Sequence, residues 1–167
     1  MQHVASPVLE WLDSESIDYD IVPIPLTPDE KPVRSLEQLA ASEGLGAEQI
    51  VRSILFRTGG GAFVMLALAG GMRADWGALR KHLGERRLAL ADPAEVLEIT
   101  GAPVGAVAPV VLKTDIPILA DESIFDHEKV WMGSGVLGYA IALSGKDLQR
   151  AFSKHRASIG RFGKPPE

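Results

Sequence analysis

Apolar positions recur along this chain with two spacings, one helical and one alternating, and they sort most of it into elements. Val8, Leu9, Trp11 and Leu12 fall on one side of a short helix entered through Ser6 and Pro7. Residues 19–24 read as a strand. The stretch PIPLTPDEKPV that follows has four prolines in eleven residues, which no regular element tolerates, so it is a surface loop. Ser35 caps a helix running to about Glu43, with Glu37 and Gln38 in its first turn, Leu36, Leu39 and Ala40 apolar, and Gly44 as its stop. A second cap-like start at Gly46 leads into the first central strand.

That strand is VRSILFR at 51–57, and the TGGG turn joins it to AFVMLALA at 62–69 as a hairpin. The second strand is apolar on both faces, the pattern of an interior strand covered by helices on each side, and this favours α/β over a β-sandwich. Residues 75–83 form an amphipathic helix through Trp76, Leu79 and Leu83, and Asp92 followed by Pro93 opens another through about Ile99. TGAPVGAVAPVVL at 100–112 lacks charge and reads as a buried loop. Strands follow at 117–120, 129–133 and 137–143, then a final helix from about Lys146 to Lys154. The last dozen residues are expected to fray. There is no internal repeat, low-complexity tract or heptad series.

At 167 residues the chain has room for one domain. Its 46% hydrophobic and 23% charged residues are the globular balance, which rules out wholesale disorder. Without cysteine there can be no disulfide, thiolate metal site, iron–sulfur cluster or cysteine nucleophile. The N-terminus lacks the basic and apolar regions of a secretory signal, and the longest apolar stretch, 62–71, is far short of the roughly 20 residues that span a bilayer. A cytoplasmic protein with no membrane partner is expected. A net charge of −5, from 17 basic against 22 acidic residues, argues against non-specific DNA binding and confines any nucleic-acid contact to a local patch.

GSGVLG at 133–138 matches GxGxxG in form, but the dinucleotide fingerprint needs a following helix, and the alternating YAIAL is a strand, so a glycine turn between strands is the better reading. Lys146 is followed by aspartate, which excludes a P-loop, and Met132 stands where a hydrolase elbow around Ser134 would need glycine. His3, His82, His127 and His155 share no spacing with carboxylates that would make a metal cage. Arg52 shares a face with Ile54 and Phe56, where a permanent cation needs a salt bridge, a route to solvent along its own stem, or a ligand.

Taken together, VRSILF at 51–56, the GxxxP of GAVAP at 105–109, LADES at 119–123 and GSGVLG at 133–138 resemble, in order and spacing, the YbaK/EbsC-like and prolyl-tRNA-synthetase-associated domains. The resemblance covers roughly residues 7–153 of a domain expected over 1–153, leaving a basic C-terminal tail at 154–167. It implies a single α/β domain with a mixed central sheet flanked by helices. It also implies a trans-acting deacylase that hydrolyses the ester of mischarged aminoacyl-tRNA without metal or cofactor, assisted by the substrate's own ribose hydroxyl. The partner is the aminoacyl-tRNA acceptor end, with an aminoacyl-tRNA synthetase as a further candidate, and the expected substrate is a small amino acid on a non-cognate tRNA. Such editing has a rationale, because a synthetase pocket separates amino acids differing by one methylene by only about 10 to 200-fold.

Carried over by position, the family's strand lysine is Arg52 and its following hydroxyl residue is Ser53, while the loop glycine and proline are Gly105 and Pro109. Gly133 stands at the usual serine of the turn, with Ser134 beside it, and Ala140 stands where an acidic residue is often found. Arginine stays protonated and cannot be a general base, although its guanidinium can clamp a phosphate or stabilise an oxyanion. Gly105 lets backbone amides approach an ester, which makes Gly105 and Ala106 candidate pocket donors. Arg150, Lys154, Arg156, Arg161 and Lys164 leave Glu167 as the only acidic residue from 150 onward, a stretch that either touches phosphates or is a solvated tail. Two other readings remain at this point: a non-catalytic homologue that binds tRNA or a synthetase, turnover having been lost with the lysine-to-arginine change, and an unrelated small-molecule binding module on the same sheet.

Overall fold

The computed structural model describes residues 4–166, so His3 and Glu167 lie outside the described residues. Each helix begins where a side-chain oxygen can take up one of its first free amides. Ser6 accepts from Leu9 N at 3.2 Å to start α1 (Pro7–Ser14), which precedes β1 (Asp20–Pro23). Ser35 and Gln38 cap each other reciprocally at α2 (Leu36–Ser42). After β2 (Val51–Thr58), β3 (Phe63–Ala69) and the two-residue β4 (Arg73–Ala74), Asp75 caps α3 (Trp76–Leu83). A short β5 (Leu88–Leu90) leads to Asp92 and Pro93, which open α4 (Pro93–Thr100) with a second capping box through Glu95. Short 3-10 turns lie at Ala47–Gln49 and Glu122–Asp126, and the remaining elements are β6 (Ile118–Asp121), β7 (Lys129–Gly133), β8 (Tyr139–Ser144), α5 (Gly145–Lys154), β9 (Ser158–Gly160) and β10 (Gly163–Lys164).

The central sheet has the order β5-β2-β3-β6-β9 and is mixed: β2 runs antiparallel to β3 and β5, while β6 runs parallel to β3 and β9. The α/β architecture read from the sequence is therefore the one observed. Alternation sends Phe56, Leu66, Leu68 and Leu119 to one face, where Leu79 of α3 and Phe162 cover them. Leu55, Met65, Ala67 and Ala120 point to the other face, against Leu12 of α1 and Leu148 and Phe152 of α5. A second, antiparallel sheet of order β1-β8-β7 adds Val130 and Ile141 to this larger core, so helices share that face with strands. No helix among the described residues is long and apolar enough to cross a membrane.

The expected fraying of the last dozen residues is corrected by the structure. β9 extends the central sheet beside β6, β10 pairs with β4, and Phe162 is buried between them. The buried Asp121 carboxylate anchors the segment by accepting from Phe162 N at 2.8 Å and Gly163 N at 2.9 Å. Strands of two or three residues show no alternation long enough to be read, which is why β4, β5, β9 and β10 were invisible in the sequence.

Strand β5 pairs only with Phe56–Thr58 of β2, and the bridge from Ile50 to Trp131 of β7 lies at the other end. Between them, residues 52–54 have a strand neighbour on the β3 side alone. The candidate site opens along this uncovered edge.

Candidate active site

A cavity of about 480 Å³ lies along the open edge of β2, within the size range of small-molecule sites. Its floor is apolar, made by Val51 and Leu55 of β2, Met65 of β3, Val96 of α4 and Val107 of the loop after α4. The first turn of α2, the ends of β5 and β7, and the start of β8 complete the wall. Helix α2 is held there by Leu36, Leu39 and Ala40, which pack with Ile50, Trp131 and Ala142 where the two sheets meet.

Few polar groups line this space. Arg52 is exposed at its rim, so its cation bears no burial penalty and needs no partner; it follows its stem to solvent. Glu37 of α2 is the other charged group in the lining. Among the described residues, neither side chain makes an ion pair or a hydrogen bond. Ser53 lines the cavity, but its hydroxyl is buried in the wall and without a partner. Buried hydroxyls are ordinarily bonded, so this orphaned one stands out among the groups of the wall. Tyr139 is the remaining polar side chain of the lining.

The GxxxP loop reaches the cavity through Gly105, whose φ of 95° lies in the left-handed region, where L side chains are strained. Among the described residues the Gly105 and Val107 amides donate to no one, so both remain available to an oxyanion or ester oxygen. Ala106 is placed differently from the expectation. It is buried outside the lining, its N–H donates to Pro103 O at 3.0 Å, and its carbonyl accepts from Gly135 N at 2.7 Å. Its amide is committed within the loop, and the free donors are its two neighbours. Pro109 is buried and likewise outside the lining.

Gly133 lines the cavity and the loop lies directly on it: a Cβ there would collide with Val107 O and sit 2.8 Å from Ala106 O. Ser134 does not line it. Fully buried, its hydroxyl lies 2.8 Å from Tyr139 O and accepts from Val136 N at 3.2 Å, which ties the β7–β8 turn, while its carbonyl accepts from Ser6 Oγ at 2.8 Å. The GSGVLG motif is thus a turn between strands, as read. The structure brings together Arg52, Ser53, Gly105 and Gly133, and leaves Ala106, Pro109 and Ser134 behind them as support.

The described histidines stand elsewhere. His155 packs at a tilt against Trp11, faces Ala151 O with Nδ1 at 2.9 Å and accepts from Val111 N through Nε2 at 3.2 Å, and His82 packs edge-on to Phe162. Sequence reasoning missed Glu37 and Tyr139 as lining groups. Glu37 read only as a helix-start acid, and nothing local marks which side of α2 will meet β2.

The cations of the C-terminal stretch are mostly engaged. Arg150 pairs with Asp147 at 3.0 Å, Lys154 with Glu15 at 2.8 Å, Arg161 with Glu122 at 2.8 Å, and Lys164 lies 3.8 Å from Asp75. The hydrogen bond and charge of Glu122 push the Arg161 pKa up from its ordinary value. By contrast Arg80, Lys81, Arg86 and Arg87, around the end of α3 and the approach to β5, have no acidic partner among the described residues.

The family model of the aminoacyl-tRNA editing domain matches residues 30–151, which contain the whole cavity apart from Ile24. The multifunctional Ser/Thr-tRNA deacylase ProXp-y of Escherichia coli is 27% identical over 147 residues, 86% of this chain and 84% of that protein. The proline–tRNA ligase of Kosmotoga olearia is 33% identical over 107 residues, 64% of this chain; the match takes up 18% of the ligase, so the chain spans under a fifth of that relative's length. Among solved structures, a candidate trans-editing enzyme for prolyl tRNA synthetase superposes with a TM-score of 0.75 at 22% identity, covering 97% of this chain and 99% of that one. At that identity the likeness speaks for the fold.

Proposed function

The chain belongs to the aminoacyl-tRNA editing domain family, and we propose that it acts in trans to hydrolyse the ester of a small amino acid attached to a non-cognate tRNA. The observation that carries this reading is the cavity itself: an apolar floor, one rim cation, one orphaned hydroxyl and unbonded loop amides, all along an uncovered strand edge. In this reading Arg52 holds the 3′-terminal phosphate. Exposed as it is, its guanidinium meets a phosphate on the solvent side more readily than it polarises a carbonyl at the floor. The Gly105 and Val107 amides face the ester oxygen, where preorganised donors stabilise the charge that develops as water adds to the carbonyl carbon.

The bond between the carbonyl carbon and the ribose oxygen then breaks, the ribose oxygen takes one proton of the water, and the amino acid leaves as its carboxylate with the other proton released to solvent. Arg52 cannot accept a proton, and among the described residues that line the cavity Glu37 is the one carboxylate. We assign the proton relay to the ribose hydroxyl next to the ester, as the family resemblance implies, and keep Glu37 for a different contact. The apolar floor suits a small side chain, and the cytoplasm, where tRNAs are charged, is where the reaction would occur. The free cations at 80–87 are our candidate contacts for the acceptor stem, since they meet phosphate without first giving up an ion pair.

The test is ester hydrolysis at sub-stoichiometric protein across a panel of mischarged tRNAs. Turnover of one or two species, falling about ten- to a hundredfold in kcat/KM with Arg52→Ala, is the expected result. Rates at the spontaneous background throughout, with the ester protected stoichiometrically, would replace the hydrolase with a binding-only homologue.

A further inference from the structure

We propose that Glu37 recognises the free α-ammonium group of the aminoacyl moiety, and so restricts the site to esters of unblocked amino acids. The inference rests on the proposed function and adds to it the orientation of the substrate. Among the described residues, Glu37 and Arg52 are the two charged residues that line the cavity, of opposite sign and on different elements, the first turn of α2 and the open edge of β2. Neither is neutralised by another side chain among the described residues.

The end of an aminoacyl-tRNA has a matching pair of charges, a phosphodiester on one side of the ester and an ammonium on the other. With the phosphate at Arg52, the ammonium belongs at the carboxylate, and the reverse placement would set ammonium against guanidinium. No other lining residue competes for it with a charge, since Val104, Gly105, Gly133 and Ala140 offer none. The amino-acid side chain is then directed to the apolar floor of Val51, Leu55, Met65 and Val96. An N-acylated ester, such as a formylated or peptidyl one, lacks the cation and leaves Glu37 facing a neutral amide, so the same contact that orients the substrate spares blocked esters.

The experiment compares kcat/KM for one mischarged tRNA with that for the same tRNA after chemical N-acetylation, using the full chain. The expected result is a preference for the free amine of about tenfold or more, the size of a charge-assisted hydrogen bond. Because an α-ammonium also activates its ester by induction, each ratio is divided by that of spontaneous hydrolysis of the same two esters; Glu37→Gln is then expected to bring the corrected ratio to within about twofold of one and Glu37→Asp to restore part of it. Glu37 is exposed, and unchanged melting of both variants verifies that they fold. Equal rates on both esters in the unmodified protein, or a ratio that Glu37→Gln leaves unchanged, overturns the role of Glu37 while the hydrolase stands. Failure to turn over either ester overturns the hydrolase and this inference with it.

Discussion

Ser53 and Arg52 are adjacent on β2, yet alternation gives them opposite situations, one hydroxyl buried without a partner and one cation in water. Removing a buried hydroxyl that has no partner forfeits no native hydrogen bond, so Ser53→Ala is expected to leave stability within about 0.5 kcal/mol, or to raise it. If the substrate or its water supplies the missing partner, as the proposed function has it, the same variant is expected to lose about tenfold in kcat/KM. A melt and a rate measured together check this; a destabilised variant of full activity would mean the hydroxyl serves the fold. If Arg52 serves as a cation near phosphate, as proposed, Arg52→Lys is expected to keep kcat within about threefold with a raised KM, in contrast to the loss with Arg52→Ala. The sequence singled out both residues. It could not give Arg52 its exposure, because the alternation that puts it beside Ile54 and Phe56 says nothing about where β5 stops.

Helices and long strands were legible because their starts are chemical. Ser6, Ser35, Asp75 and Asp92 each cap the helix that the apolar spacing predicts. What escaped were elements defined by distant partners. Asp121 is one such partner, since its carboxylate holds the amides of Phe162 and Gly163 as well as the amide and hydroxyl of Ser123. Asp121→Ala would leave several donors unsatisfied in a buried place and is expected to cost about 2–4 kcal/mol, with Asp121→Asn milder because Oδ1 remains. Denaturant midpoints measure the cost, and amide exchange at residues 158–164 should accelerate before that of β2 and β3. Protection equal to wild type in that segment would show that strand pairing alone holds it. The GxxxP loop behaves similarly: glycine and proline announce a special loop, but which amide stays free is settled by the Ala106 bonds to Pro103 and Gly135, from opposite directions along the chain.

Across the whole molecule, the net charge of −5 means that, on the proposed function, a polyanionic tRNA would be met by cations that the fold leaves unneutralised. The basic C-terminal stretch is where the fold spends its acids: Glu15, Asp75 and Glu122 come from separate parts of the chain to meet it, and Asp147 meets Arg150 within α5. An exposed pair contributes little to stability, yet it must be broken or shared before its cation reaches a phosphate, whereas Arg86 and Arg87 need only release counterions. Arg86→Ala with Arg87→Ala is therefore expected to weaken tRNA binding and to lower the slope of log affinity against log salt by about one for each phosphate no longer neutralised. Lys154→Ala with Arg161→Ala, which removes the same charge, is expected to leave that slope nearly unchanged. Affinities measured for both double variants from low to physiological salt decide between the surfaces, and a slope that falls only in the second would move the acceptor stem to the C-terminal strands.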